Sequence, residues 1–393
     1  MRITHVITGM DPAGGGPPVA LEGLAAAQHR LGAEVRIAAT FRQGDHDARV
    51  ERLRDQGIDM RMIGPTSGPL QLAKGMKAKV DDAIADADIV HIHNLWEQVQ
   101  HVAASTARRR RVPYVVRPCG MLDPWSLAQS KVRKRLMLAL RTRRMLNGAA
   151  ALHYTADAEA ELAAPLGLKP PALVVANGVD FSPFTQTPRD PDFYDKRFPS
   201  FAGRPRIVFL SRLHPKKGAD ILLDAFARLL EQRTASGQPR PALVMVGPDE
   251  NATQSDLEAQ ARKLGIADDV VFAGLLVGED KVHVLREADV FALPSHQENF
   301  GIAVVEALAA GTPVVISDQV NIHEPITRAN LGEALPLDDR RVEAFAEELD
   351  RWLEDEAERT RVADAAPGWV AQQYSWDTLA EQWVNTHYPA LTR

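Results

Sequence analysis

Cysteine is almost missing from this chain. Among 393 residues only Cys119 occurs, so no internal disulfide framework exists and no oxidising compartment is required. Nor is there a run of about eighteen apolar residues to span a bilayer, which limits any membrane contact to a peripheral one. A charged leader followed by a signal-type apolar core is lacking as well: the chain opens directly into MRITHVIT, which reads as a strand. The expectation is a cytoplasmic protein, with the inner face of the membrane as the place for peripheral contact. Positive net charge is absent, and the formal value of −6 argues against general nucleic-acid affinity. A dinucleotide fingerprint fails too, because no G-x-G-x-x-G follows the first strand and no acidic residue clearly ends the second, EVRIAAT.

What is present is a regular alternation. ITHVIT, EVRIAAT, IDMRMI, DIVHIH, VPYVV and ALHYT predict six parallel strands separated by amphipathic helices such as PPVALEGLAAAQHRLG. A proline-rich interruption with Pro183, Pro188, Pro191, Pro199 and Pro205 reads as a linker or edge excursion. The rhythm then restarts with RIVFLS, ALVMVG, VVFAG, VFALP and PVVIS, giving two similar α/β lobes, with boundaries expected at 1–172 and 173–372. The last helix, 373–393, with Trp376, Leu379 and Trp383 on one face, either caps the second lobe or crosses back to the first. Ligands of such sheets bind at the carboxyl ends of the strands.

Chemistry-bearing residues cluster at those ends. In SHQENFGIAVVEALAAGTPVV, Glu298 precedes and Glu306 lies on an apolar helix expected to open at Asn299 or a neighbour. The amides of Phe300 and Gly301 would then suit phosphate or sugar oxygens, and Gly301 would remove a side chain where a ligand approaches. Glu306 falls ~7.5 Å beyond Gly301 along such a helix, so the two carboxylates suit separate hydroxyl-bearing parts of one extended ligand. The ordinary reading is a Glu306 paired with a neighbouring Arg and a solvated Glu298. SRLHPKKG places Arg212 and Lys217 where a diphosphate could be neutralised, or in a merely solvated turn. PAGGGPPVALEGL, with Gly15 and Gly16, is the corresponding turn of the first lobe.

Other candidates are weaker in pattern. His91 and His93 in DIVHIH are expected on opposite faces of their strand and without metal-ligand company; His93, beside Asn94, is the better site candidate against the alternative of a structural histidine. D-x-D triplets at Asp45/Asp47, Asp86/Asp88 and Asp190/Asp192 read as chance, and no metal is expected. From Arg108 to Arg144 the chain carries twelve Arg or Lys against the single Asp123. Within that stretch DPWSLAQSKVRKRLMLALRTRRML supplies a basic helix with an apolar face, fit for an anionic membrane or a lipid-diphosphate acceptor, or else a solvated basic face.

Taken together, the GG loop, DIVHIHNLW, the PxGMLDPW stretch, NGVD at 177–180, SRLHPKKG and the E-x₇-E segment occur in the order found in the large retaining family four of GT-B glycosyltransferases, which the chain resembles over nearly its whole length. The resemblance implies two Rossmann-like domains facing across a cleft, and transfer of a sugar from a nucleotide-diphosphate sugar, UDP- or GDP-linked, with retention and with no cofactor. It implies that Arg212 and Lys217 hold the donor diphosphate, Glu298 contacts the donor sugar and Glu306 the ribose. Asn299, Phe300 and Gly301 would present amides, and Gly15 and Gly16 would face the diphosphate from the first domain. Where many members carry histidine before the glycine equivalent to Gly120, this chain has Cys119, which puts a side-chain proton partner there in doubt. The PxGMLDPW resemblance leans towards exopolysaccharide or other surface-glycan assembly. Rival readings are a non-catalytic two-lobed nucleotide binder, a two-carboxylate hydrolase and an NAD-dependent dehydrogenase.

Overall fold

Apolar runs such as IVHIH and ALVMV have no polar face to offer solvent, so each must be covered on both sides, as the strands of parallel sheets are. In the computed structural model, which describes residues 1–11, 16–44, 48–250 and 252–392, all five residues of both runs are buried. The chain divides into two compact units, Met1–Val179 with Tyr374–Arg393, and Asp180–Gln373.

The first unit holds seven parallel strands: β1 Arg2–Ile7, β2 Glu34–Arg42, β3 Asp59–Thr66, β4 Ile89–His93, β5 Tyr114–Arg117, β6 Ala151–Tyr154 and β7 Ala172–Val174. Their order is β3-β2-β1-β4-β5-β6-β7, so the direction of winding reverses between β1 and β4. Six strands were expected. The seventh has three residues, two of them exposed, and is held by its register with β6, so it has no pattern of its own to read.

The second unit holds six parallel strands: β8 Arg206–Leu210, β9 Ala242–Val246, β10 Val270–Gly274, β11 Val290–Leu293, β12 Val314–Ser317 and β13 Gly332–Leu335. The order is β10-β9-β8-β11-β12-β13, with the reversal between β8 and β11. Five were expected. The sixth, GEAL, is poor in strand-forming residues and exists through pairing with β12.

The proline-rich interruption is not a linker. It forms two short helices, Ser182–Gln186 and Phe193–Arg197, and buries Phe193, Tyr194, Phe198 and Phe201 in the second unit. Tyr194 donates its hydroxyl to the Val284 carbonyl at 2.6 Å. Aromatic burial thus outweighs the proline signal, and Pro183 falls in a first helical turn, where its missing N–H costs nothing.

The terminal helix packs on the first unit. Leu379, Ala380, Trp383 and Tyr388 join the core cluster of β1, β2 and the helix Gly16–Arg30, with Trp376 packed against it. Trp383 is 1% exposed. Trp383→Ala should therefore lower the stability of the first unit by ~3–5 kcal/mol, read as a shifted denaturant midpoint; an unshifted midpoint would mean that the crossing helix contributes no packing.

Candidate functional site

Because every strand runs the same way, the loops after β8, β9, β11 and β12 all leave from one edge of the second sheet. Two of them, 211–218 after β8 and 294–301 after β11, flank the winding reversal, where ligands of such sheets bind. They are sewn together by backbone: the Lys216 carbonyl accepts from His296 N at 2.8 Å and from Ser295 Oγ at 3.0 Å. Gly218, at φ +67°, makes the contact feasible, since a Cβ there would stand 1.9 Å from the Pro294 carbonyl oxygen.

Across this seam Lys217 Nζ is hydrogen-bonded to Glu298 Oε2. Both side chains are well covered, 10% and 18% exposed, so each partner offsets the other's desolvation. Glu298 is also fixed by its backbone: its N–H donates to the Gln319 carbonyl and its carbonyl accepts from Asn321 N, both at 3.0 Å. It is therefore not a solvated loop residue. Arg212 lies on the same loop as Lys217 but is half exposed, with Nη1 on Glu250 Oε2 at 2.6 Å.

The helix that carries Glu306 begins later than expected, at Ile302, and ends at Ala309. Gly301 has φ +81°, outside helical geometry, and acts as the cap whose carbonyl accepts from Val304 N at 2.9 Å. The first helical amides are those of Ile302 and Ala303 rather than of Phe300 and Gly301. Glycine is needed at 301 by that backbone angle, and a Cβ there would meet Val320, Glu298 and Val304. Glu306, 14% exposed, is held by Lys281 Nζ at 2.6 Å. The expected partner was a ligand hydroxyl or a neighbouring Arg; the partner found is a Lys from the helix Gly278–Arg286.

In the first unit His91 and His93 share one face, with ring centroids 4.6 Å apart. The expectation of opposite faces fails because strand side chains repeat every second residue, so positions two apart point the same way. Their company comes from neighbouring strands: His5 on β1 is in register with His91 and His153 lies on β6. His5, His91 and His93 each bring a potential ligand atom within 4.8 Å of the others. Those nitrogens already serve one directed chain of hydrogen bonds. His153 Nε2 meets the Val175 carbonyl at 2.7 Å and can only donate there, so its Nδ1 accepts from His91 Nε2 at 3.1 Å. His91 Nδ1 then accepts from the Tyr388 hydroxyl at 2.8 Å, which accepts from Gln28 Nε2 at 3.2 Å. Gln28 Oε1 accepts from His5 Nε2 at 2.8 Å, and His5 Nδ1 from His93 Nε2 at 3.1 Å. With the rings neutral, this sequence of bonds fixes each tautomer. Burial pulls His5 down to about 4 and His91, His93 and His153 well below the ordinary histidine range.

The chain ends at His93 Nδ1. That atom, Asn94 Oδ1 and Arg117 Nε are buried without a protein partner among the described residues, all at the carboxyl ends of β4 and β5. Arg117 also donates to Asn177 Oδ1. Cys119 follows, half-buried in a left-handed turn, its Sγ 3.6 Å from the Arg117 carbonyl. Burial pushes its thiol up, which makes it a poor thiolate source at neutral pH. The turn is clamped by Glu159, 3% exposed, which accepts from the amides of Gly120 and Thr155, both at 2.7 Å. Burial raises the Glu159 carboxyl above its usual range.

Gly15 lies outside the described residues, as do Asp45 and Asp47; Gly16 opens the first helix. Asp86 and Asp88 are occupied by Arg36 and Arg2, and Asp190 and Asp192 by Lys196. Lys281, Glu250, His5, His153, Arg117 and Glu159 were missed from sequence. Each has a partner far along the chain; the one local signal was His5 in ITHVIT, a polar residue inside an apolar strand.

The family model for "Glycosyl transferases group 1" matches residues 190–382, and that for "Glycosyl transferase 4-like domain" matches 15–178. A D-inositol 3-phosphate glycosyltransferase of Actinosynnema mirum is 30% identical over 383 residues, 93% of this chain and 90% of that one. The uncharacterized glycosyltransferase MJ1607 of Methanocaldococcus jannaschii is 33% identical over 185 residues, 47% of this chain; the aligned part spans 45% of that relative. Among solved structures, Anabaena Alr3699/HepE in complex with UDP superposes with a TM-score of 0.78 at 21% identity, covering 98% of this chain and 99% of the other. At that identity the likeness is one of fold: two parallel-sheet domains of GT-B type.

Two outcomes test this geometry. In the unfolded chain the four histidines titrate near 6.5 and bind more protons than in the folded state, where burial holds His5 at about 4 and the other three well below the ordinary histidine range. The stability of the first unit should be complete above about pH 6.5 and fall as the pH drops through about 4; a melting temperature flat across that window would disprove neutral burial. For the other unit, a double-mutant cycle of Lys281→Met and Glu306→Gln should give a coupling of about 1–2 kcal/mol in denaturant unfolding, and a coupling near zero would mean that the pair is not energetically engaged.

Proposed function

The chain belongs to the group 1 glycosyl transferases, and we propose that it moves a sugar from a nucleotide-diphosphate sugar to a hydroxyl of a glycan or lipid-diphosphate-linked acceptor, with retention and without a metal ion. The observation that carries this reading is the Lys217–Glu298 pair bridging the two loops at the winding reversal of the second sheet. A donor has one diphosphate and one polyhydroxylated ring. On binding, Lys217 and Arg212 exchange their carboxylate partners, Glu298 and Glu250, for phosphate oxygens, while the released Glu298 accepts from sugar hydroxyls. Glu306 exchanges Lys281 for ribose hydroxyls in the same way.

As the bond to the anomeric carbon breaks, positive charge grows on the ring and negative charge on the departing diphosphate. Arg212, Lys217 and the amides at Ile302 and Ala303 supply the stabilising field that a metal would otherwise provide. Retention rests on the family resemblance. The acceptor is assigned to the first unit, where His93 Nδ1, Asn94 Oδ1 and Arg117 Nε lack protein partners. The name of the Actinosynnema relative puts inositol phosphates among the acceptors to try, and the UDP bound by the Anabaena protein puts UDP-sugars first among donors, with GDP-sugars next. Assembly of exopolysaccharide or another surface glycan rests on the PxGMLDPW stretch, and a cytoplasmic setting on the single cysteine. Among the described residues no helix is long and apolar enough to cross a membrane.

A panel of UDP-, GDP- and ADP-sugars, read by thermal shift and by release of nucleoside diphosphate, tests the reading. One donor should raise the melting temperature and be turned over equally well with or without a chelator. Lys217→Ala and Glu298→Ala should each lower kcat/KM on the order of a hundred- to a thousandfold. Nucleotide binding without transfer or donor hydrolysis, unchanged in Glu298→Ala, would replace the enzyme with a non-catalytic binder.

A further inference from the structure

The helical stretch from Lys131 to Asn147 has two apolar faces, and only one of them meets the core. It runs as a helix Lys131–Met137, a π-helical turn Leu138–Thr142 and a final helix Arg143–Asn147. Leu138, Met145 and Leu146 are buried in the cluster that also holds Val90, Ile92, Val116 and Leu152. Val132, Leu136 and Leu140 recur every fourth residue on another side and are 83%, 57% and 73% exposed. A surface helix ordinarily turns polar residues outward, so a solvent-facing aliphatic stripe of this kind lacks its cover.

Charge surrounds the stripe. Lys131, Arg133 and Arg135 interleave with it and Arg143 and Arg144 follow, and among the described residues none of these five has a carboxylate partner. Arg109 and Arg110 at the end of the helix Gln98–Arg110, by contrast, both reach Asp81. Two further cations fasten the stretch to its own unit: Lys134 Nζ donates to the Ser126 carbonyl at 2.6 Å and Arg141 Nη2 to Gln98 Oε1 at 2.6 Å. The stretch is thus firmly seated with its apolar side chains and free cations turned out. The chain as a whole is negative, so this excess of positive charge is local.

We propose that this face is a docking surface for an anionic lipid bilayer, with Val132, Leu136 and Leu140 entering the boundary between headgroups and acyl chains and the flanking cations reaching lipid phosphates. A convex ridge one side chain wide suits a deformable medium, whereas a protein partner would need a preformed groove to cover it. A second copy of the same face is disfavoured because two cationic ridges repel. The surface is independent of sugar transfer, and it would bring a lipid-linked acceptor and the enzyme to the same plane.

Flotation of the full chain, with no donor present, on vesicles of phosphatidylcholine alone and of phosphatidylcholine with an equal part of phosphatidylglycerol is the test. Binding should be confined to the anionic vesicles and weaken with salt. The triple change Lys131→Gln, Arg133→Gln, Arg135→Gln should weaken it about a hundredfold, at about fivefold per cation. The pair Leu136→Gln, Leu140→Gln should weaken it at least about tenfold. All five positions are exposed, so the melting temperature should stay unchanged. Failure to bind anionic vesicles, equal binding to neutral ones, or indifference to the leucine pair would overturn the proposal. So would wild-type self-association in vesicle-free sedimentation that the leucine pair abolishes, which would assign the stripe to a second copy.

Discussion

A parallel strand cannot be joined to its neighbour by a tight turn; the chain must return through a crossover, and every strand then ends at the same edge. That single constraint places all the candidate residues. Where the winding reverses, between β8 and β11 in one unit and β1 and β4 in the other, two adjacent loops diverge to opposite faces and leave room between them. Lys217 and Glu298 stand on one such pair of loops. In the other unit Thr8 and Glu97, which follow β1 and β4, are hydrogen-bonded at 3.2 Å.

Charges at the edge of the second sheet are held in pairs. Lys217 with Glu298 and Lys281 with Glu306 each satisfy a carboxylate that would be costly to cover alone, and Arg212 pairs with Glu250 nearer the solvent. Such pairs keep the cations and carboxylates extended and oriented. Arg212, half exposed, is held least firmly of the three cations.

The first sheet solves a different problem. Four histidines stand on one face under the terminal helix, and they are tolerated because each nitrogen but one finds a partner in a single directed sequence of hydrogen bonds. Tyr388 and Gln28 close that sequence, which ties the far end of the chain to the middle of the first sheet. The unpaired His93 nitrogen lies buried where β4 ends, as do the Asn94 and Arg117 atoms at the ends of β4 and β5 that, among the described residues, also lack protein partners.

How much of this could be read from sequence follows the range of the interactions. Alternating apolar runs and helical periods determined two parallel α/β units, and glycine-flanked strand ends marked Arg212, Lys217, Glu298 and Glu306, because these signals lie within a few residues of one another. The strand edges GEAL and ALV carried no such signal, and the prolines near Pro183 misled because aromatic side chains buried beside them decide their fate. Gly301 could not show its left-handed angle in composition alone, so the helix start was set too early. Which cation meets which carboxylate, which strands bring His5 and His153 beside His91 and which unit receives the final helix were decided only in the tertiary structure: those contacts join residues tens to hundreds of positions apart, and only strand order and register bring them together.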